Sequence, residues 1–121
     1  MKQVLWVGSS YKDLTEFPPY VCHAMGYALF RAQEGTKHEH AKVLSGMGSA
    51  NVLEIREKDQ SGTYRVIYTL EMENYVFVLH AFQKKSKSGI ATPKQEMELL
   101  KRRLQDARAL YKNMIATGKK K

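Results

Sequence analysis

A single cysteine, three prolines and no apolar run longer than a few residues set the first limits on this 121-residue chain. Cys22 has no second thiol to pair with, so no internal disulfide can staple the fold, and a reducing compartment suits it. The apolar stretch from Tyr75 to Leu79 is far short of the roughly 20 residues that a membrane span requires. No charged segment leads into an apolar block at the amino terminus. A soluble, cytoplasmic protein with no membrane partner is therefore expected. The scarcity of proline, with no biased tract before the final lysines, excludes collagen-like and broadly disordered chains. Neither a G-x-G-x-x-G nor a phosphate-loop signature occurs.

What is present suffices for one core. Hydrophobic residues make up 43% of the chain, charged residues 26% and aromatics 10%, the profile of one globular domain. We place that domain at residues 1–116 and a basic tail at 117–121. Acidic residues are missing mainly from the last third: Met1 to Gln83 carries 8 basic and 9 acidic residues, whereas Lys84 to Lys121 carries 12 and 3. A localised positive field rewards a polyanion, since clustered Lys and Arg release counterions from phosphates. An anionic membrane surface would be attracted too, and a solvated basic helix kept for solubility is the plain alternative.

Local signals give the element order. Lys2 to Val7 suits an opening strand that stops at Gly8-Ser9-Ser10. Ser10 with Asp13 predicts a cap for a short helix from Tyr11 to about Phe17. Pro18-Pro19 restarts the chain, and Cys22, Met25, Leu29 and Ala32 recur at helical spacing up to Gly35. Residues 36–49 read as a loop. Asn51 to Glu57, Thr63 to Leu70 and Tyr75 to Phe82 read as strands, and their short connections allow only antiparallel hairpins. Thr92-Pro93-Lys94-Gln95 is a strong helix start, followed by the stripe Met97, Leu100, Leu104, Ala107, Tyr111 and Met114. The class is α+β, ordered β-α-α-β-β-β-α, with an antiparallel sheet and helices on one face.

Period-two geometry then sorts the strand residues. If the helices cover the row Tyr75, Phe77, Leu79 and Ala81, then Arg56, Arg65 and His80 converge on an uncovered sheet surface, with Lys84 and Lys85 at its rim and Glu54 as counter-charge. Such a surface suits phosphate, Arg as a planar fork and Lys as a mobile point charge. Each residue also has a plainer reading: Arg56 pairing with Glu54, His80 packing on Phe82, Tyr64 and Tyr68 spent on the core rather than stacked on bases. Arg65 is the hardest to explain away, because a mid-strand arginine needs a partner or a ligand. His38-Glu39-His40 lacks a further ligand at metal spacing and reads as a solvated loop, so no metal and no cofactor are expected.

Several ordered motifs together carry a resemblance. They are Phe17-Pro18, Gly26-Tyr27-Ala28-Leu29, Gln33-x-Gly35, Ala41-Lys42-Val43-Leu44-x-Gly46-Met47-Gly48, Leu53-Glu54-Ile55-Arg56, Gly62-Thr63-Tyr64-Arg65-Val66-Ile67-Tyr68 and Val78-Leu79-His80-Ala81-Phe82-x-Lys84-Lys85-x-Lys87. Across residues 4 to 110 the chain resembles the phage-derived branch of the RelE/HigB toxin superfamily. The resemblance implies a RelE-like fold and the toxin of a type II toxin-antitoxin pair, which cleaves mRNA, usually at the ribosome, and is silenced in a hetero-oligomer by a helix-turn-helix antitoxin. The positions that match are Arg65 and Lys84-Lys85, for which the resemblance implies a catalytic role on the scissile phosphate, with a lysine or His80 helping proton transfer; Arg56, Lys87, Tyr68 and Phe82 are the expected RNA contacts, the aromatics by stacking on bases. Two rivals stay open: a ParE-like toxin that poisons gyrase without cutting RNA, and a plain RNA-binding module.

Overall fold

The computed structural model describes residues 1–36, 38, 40–48, 50–84 and 94–118. Along the chain lie β1 (Gln3–Trp6), α1 (Ser10–Thr15), α2 (Pro19–Gln33), β2 (Ala41–Val43), β3 (Val52–Asp59), β4 (Gly62–Thr69), β5 (Tyr75–Lys84) and α3 (Lys94–Gly118). The class is α+β, as expected.

Helix boundaries follow local chemistry. Ser10 is the first residue of α1, buried, and its Oγ donates to the Val78 carbonyl at 3.1 Å, which pins the helix to β5. Ser9, not Ser10, lies opposite Asp13, Oγ to Oδ2 at 2.7 Å. Pro19 opens α2, where a missing N–H costs nothing. The helix closes in a Schellman turn: the Thr36 N–H reaches the Arg31 carbonyl and the Gly35 N–H reaches Ala32, with Gly35 at φ +87°. The Thr92-Pro93 start predicted for α3 lies outside the described residues.

The five strands form one sheet ordered β1-β5-β4-β3-β2. The meander of β3, β4 and β5 is antiparallel as predicted, but β1 pairs with β5 in parallel, so the sheet is mixed rather than antiparallel. Strand β2 lies within residues 36–49, where the sequence predicts a loop. It is three residues long and buries only Ala41, too little for an alternating pattern to register.

Helices also cover both faces rather than one. On the first face, Leu14, Phe17, Val21, Met25 and Leu29 of α1, α2 and their junction pack on Leu53, Ile55, Val66, Tyr68, Val76 and Val78. On the second, Leu100, Leu104 and Ala107 of α3 pack on Val52, Ile67, Phe77 and Leu79. Strand β5 therefore needs apolar residues in both rows, which is the continuous run that a doubly covered strand shows. Truncating a fully buried contact such as Leu100 to alanine would cost about 2 to 5 kcal/mol.

One irregularity decides which way the end of β5 points. Ile67 pairs with His80 while Tyr68 pairs with Val78, leaving Leu79 as the extra residue of a bulge. Leu79 and His80 then share the α3 face. Strict alternation, which grouped His80 with Val76 and Val78, fails at this point.

Candidate functional site

Beyond the patch that α3 covers, the same sheet face carries a group of charges. The β3–β4 register sets Arg56 directly opposite Arg65, and the β4–β5 register sets Phe82 opposite Arg65 and Lys84 opposite Thr63. Like charges directly across a ladder repel. Glu54, two residues before Arg56 and so on the same face, offsets the repulsion. Arg56 Nη2 donates to Glu54 Oε1 at 2.9 Å, and Arg65 Nη1 donates to Glu54 Oε2 at 2.8 Å. Glu54 is therefore the counter-charge the sequence suggested, shared between two arginines.

All of these charged groups but the half-buried Arg56 are withdrawn from water. Arg65 is 2% exposed, Glu54 5% and Lys84 8%, so the guanidinium of Arg65 lies inside rather than on an open patch of sheet. The burial follows from its position: β4 is the middle strand, and its neighbours on both sides carry large side chains on this face. Desolvation holds the Lys84 ammonium below its ordinary pKa of 10.5; repulsion from Arg65 and Arg56 adds to this, and attraction to Glu54 opposes it. Two arginines thus share one carboxylate, and the Lys84 ammonium lies near enough to feel all three charges. A preformed group of cationic donors suits a phosphate group, and fixed donors there stabilise charge that develops on phosphorus. A pocket of about 270 Å³ lined by His40, Lys42, Glu54 and Arg56 adjoins the cluster and gives it an entrance.

The other expected residues divide. Phe82 lies beside the cluster, half-buried, with its ring stacked on His80 at 4.6 Å. His80 itself is buried and turned toward α3. Its Nε2 meets Glu96 Oε1 at 2.5 Å, and its Nδ1 lies 3.3 Å from Arg103 Nη1. Burial pushes the His80 pKa below 6.5, with Glu96 raising it, Arg103 lowering it and Asp13 raising it. Arg103 also donates to the Leu79 carbonyl at 3.0 Å and to Ser9 Oγ at 3.1 Å, so this network ties α3 to β5 and α1. Tyr68 is no base-stacking residue: it lies 1% exposed beneath α1 and α2, with its hydroxyl pKa pushed up to about 12 by burial. Lys85 and Lys87 lie outside the described residues.

Sequence reasoning missed Glu96 and Arg103. The only available signal was their position off the apolar stripe of α3, and Lys101 and Arg102 share it while facing solvent.

No curated protein sequence matches this chain. Among solved structures, a chain of the toxin-antitoxin complex RelBE2 from Mycobacterium tuberculosis is similar at a TM-score of 0.48 and 23% identity, over 69% of this chain and 98% of that one. The family model described as phage derived protein Gp49-like (DUF891) matches residues 12–105, a span that runs from within α1 to the middle of α3 and includes every member of the cation cluster. With so much of the chain matched, the protein belongs to the phage-derived Gp49-like family.

Proposed function

We propose that the protein is the toxin of a type II toxin-antitoxin pair, a cytoplasmic, metal-independent endoribonuclease that cuts mRNA on translating ribosomes and is silenced by a helix-turn-helix antitoxin. The observation that carries this reading is the largely buried cluster in which Arg56 and Arg65 share the carboxylate of Glu54 with the Lys84 ammonium within their electrostatic reach. Membership of the Gp49-like family and the RelE/HigB resemblance of its motifs support it.

In this reading the scissile phosphate enters by the pocket beside Arg56, and the two guanidinium groups bind its non-bridging oxygens. The ribose 2′-hydroxyl loses its proton and attacks phosphorus. The P–O5′ bond breaks, the 5′-oxygen takes up a proton, and the products are a 2′,3′-cyclic phosphate and a 5′-hydroxyl. Charge on the five-coordinate phosphorus is greatest in the transition state, where fixed cations act most strongly. Lys84, whose ammonium gives up its proton more readily than an ordinary lysine, is the proton carrier of the described set, with Lys85 as its neighbour in sequence. Phe82 offers a ring face to a base, and His80, with both ring nitrogens engaged, holds that ring in place.

The experiment is to incubate purified protein with translating ribosomes and a defined mRNA, then map new ends. Cyclic-phosphate termini that vanish in Lys84→Ala and fall steeply in Arg65→Lys, in variants that melt like the parent, are the expected result. Translation halted with intact mRNA would favour a non-catalytic binding module, and arrest of DNA replication would favour a gyrase-directed toxin; either overturns the proposal.

A further inference from the structure

The segment His38-Glu39-His40 had no third ligand near it in sequence, but the fold brings one from β3. Glu57 is 7% exposed, and its Oε2 accepts a hydrogen bond from His40 Nδ1 at 2.7 Å. His38 stands alongside: its ring meets that of His40 edge to face at 5.0 Å, and its Nδ1 accepts the backbone N–H of His40 at 3.0 Å. Tyr27 of α2 packs edgewise on His38 at 5.6 Å and steadies it. One donor atom from each of His38, His40 and Glu57 lies within 4.8 Å of the others.

We infer that His38, His40 and Glu57 form a binding site for a borderline transition-metal dication of the zinc class, completed by water. Two imidazoles and one carboxylate suit Zn²⁺ or its neighbours and not the all-oxygen preference of Ca²⁺ or Mg²⁺. With bonds of about 2.0 to 2.1 Å in a tetrahedron, donor atoms stand about 3.3 Å apart. His40 and Glu57 stand closer than that, at 2.7 Å, and no two of the three donor atoms are more than 4.8 Å apart. His38 is half-buried and His40 exposed, so both rings have room to adjust and close the set, whereas Glu57 sits on a paired strand. The site is distinct from the cation cluster, although His40 also lines the pocket beside Arg56.

The hydrogen bond between His40 and Glu57 keeps both ligands near their places without the ion. The proton between them must leave that position for both atoms to bind the ion. In a neutral ring it passes to Nε2, and only a charged imidazolium gives one up to solvent, so binding tightens as pH rises through the histidine range. A histidine-carboxylate pair that served only to tether the loop would bind no ion.

The test is calorimetric titration of Zn²⁺ into metal-stripped protein, with Co²⁺ absorption as the second readout. One ion per chain is expected, tighter at about pH 7.5 than at about pH 6, with the strong visible bands of tetrahedral cobalt. His38→Ala and His40→Ala should each weaken binding by about tenfold or more. His23→Ala, an exposed ring beside Cys22 on α2, should leave it unchanged. Glu57→Gln serves as a third variant where its melting curve matches the parent. Absence of saturable binding, binding equal to the parent in both His38→Ala and His40→Ala, or loss of binding in His23→Ala would overturn the inference.

Discussion

Arg56 and Arg65 face each other across the β3–β4 ladder, and both guanidinium groups end on the carboxylate of Glu54, one on each oxygen. Two cations that would repel are made neighbours by one acid. The arrangement holds two guanidinium groups in place before any anion arrives, so little reorganisation is left for the moment of binding.

Glu54→Gln should therefore destabilise the fold more than an ordinary surface change. It removes the carboxylate that Arg65 Nη1 meets at 2.8 Å from beside a buried guanidinium that faces a second arginine. A loss of about 3 kcal/mol is expected by chemical denaturation. Added phosphate or sulfate should recover part of that loss by occupying the vacated counter-charge, and a variant as stable as the parent would show that Glu54 is dispensable.

Binding of single-stranded RNA should weaken steeply with salt. Each phosphate contact removed should reduce the slope of log K against log salt by roughly 0.7. Arg56→Gln combined with Lys84→Gln should flatten the line by about twice that, measured by fluorescence anisotropy on an uncleavable oligonucleotide. An unchanged slope would move the RNA grip to the exposed face of α3 around Lys101 and Arg102.

Acidification should weaken the fold through His80. Burial holds its folded-state pKa below 6.5, so as pH falls past that value the unfolded chain takes up a proton that the folded chain refuses. The contribution is fully present above pH 6.5 and declines below it, down to the depressed folded-state pKa. Urea denaturation at about pH 7.5 and about pH 5.5 should show a smaller loss on acidification in His80→Asn than in the parent. An equal loss in both would assign the effect to other groups.

Gly8→Ala should cost about 1 to 3 kcal/mol, read as a lowered denaturation midpoint. Gly8 sits at φ +58°, and a Cβ there would lie 2.8 Å from Arg103 Nε. Arg103 cannot retreat without giving up Leu79, Ser9 and His80. A variant as stable as the parent would show that this guanidinium is free to move.

The amino-acid order by itself determined the α+β class, the three-strand meander, the two long helices and the identity of the cationic residues. Each of these is written in short-range terms: spacing of apolar residues, turn residues between runs, proline at a helix start and glycine at its end. Glu54 could be named as the counter-charge because a strand places residues two apart on one face. What depended on distant pairing was decided only in three dimensions. The parallel seat of β1 beside β5, the covering of both sheet faces and the bulge at Leu79 reflect which surfaces meet, and no local periodicity records that. Those choices buried Arg65, sent Tyr68 into the core, turned His80 toward Glu96 and Arg103 on α3, and carried Glu57 to His38 and His40. Packing against the whole sheet selects them, because only the assembled layers determine which charges are removed from water and must find partners.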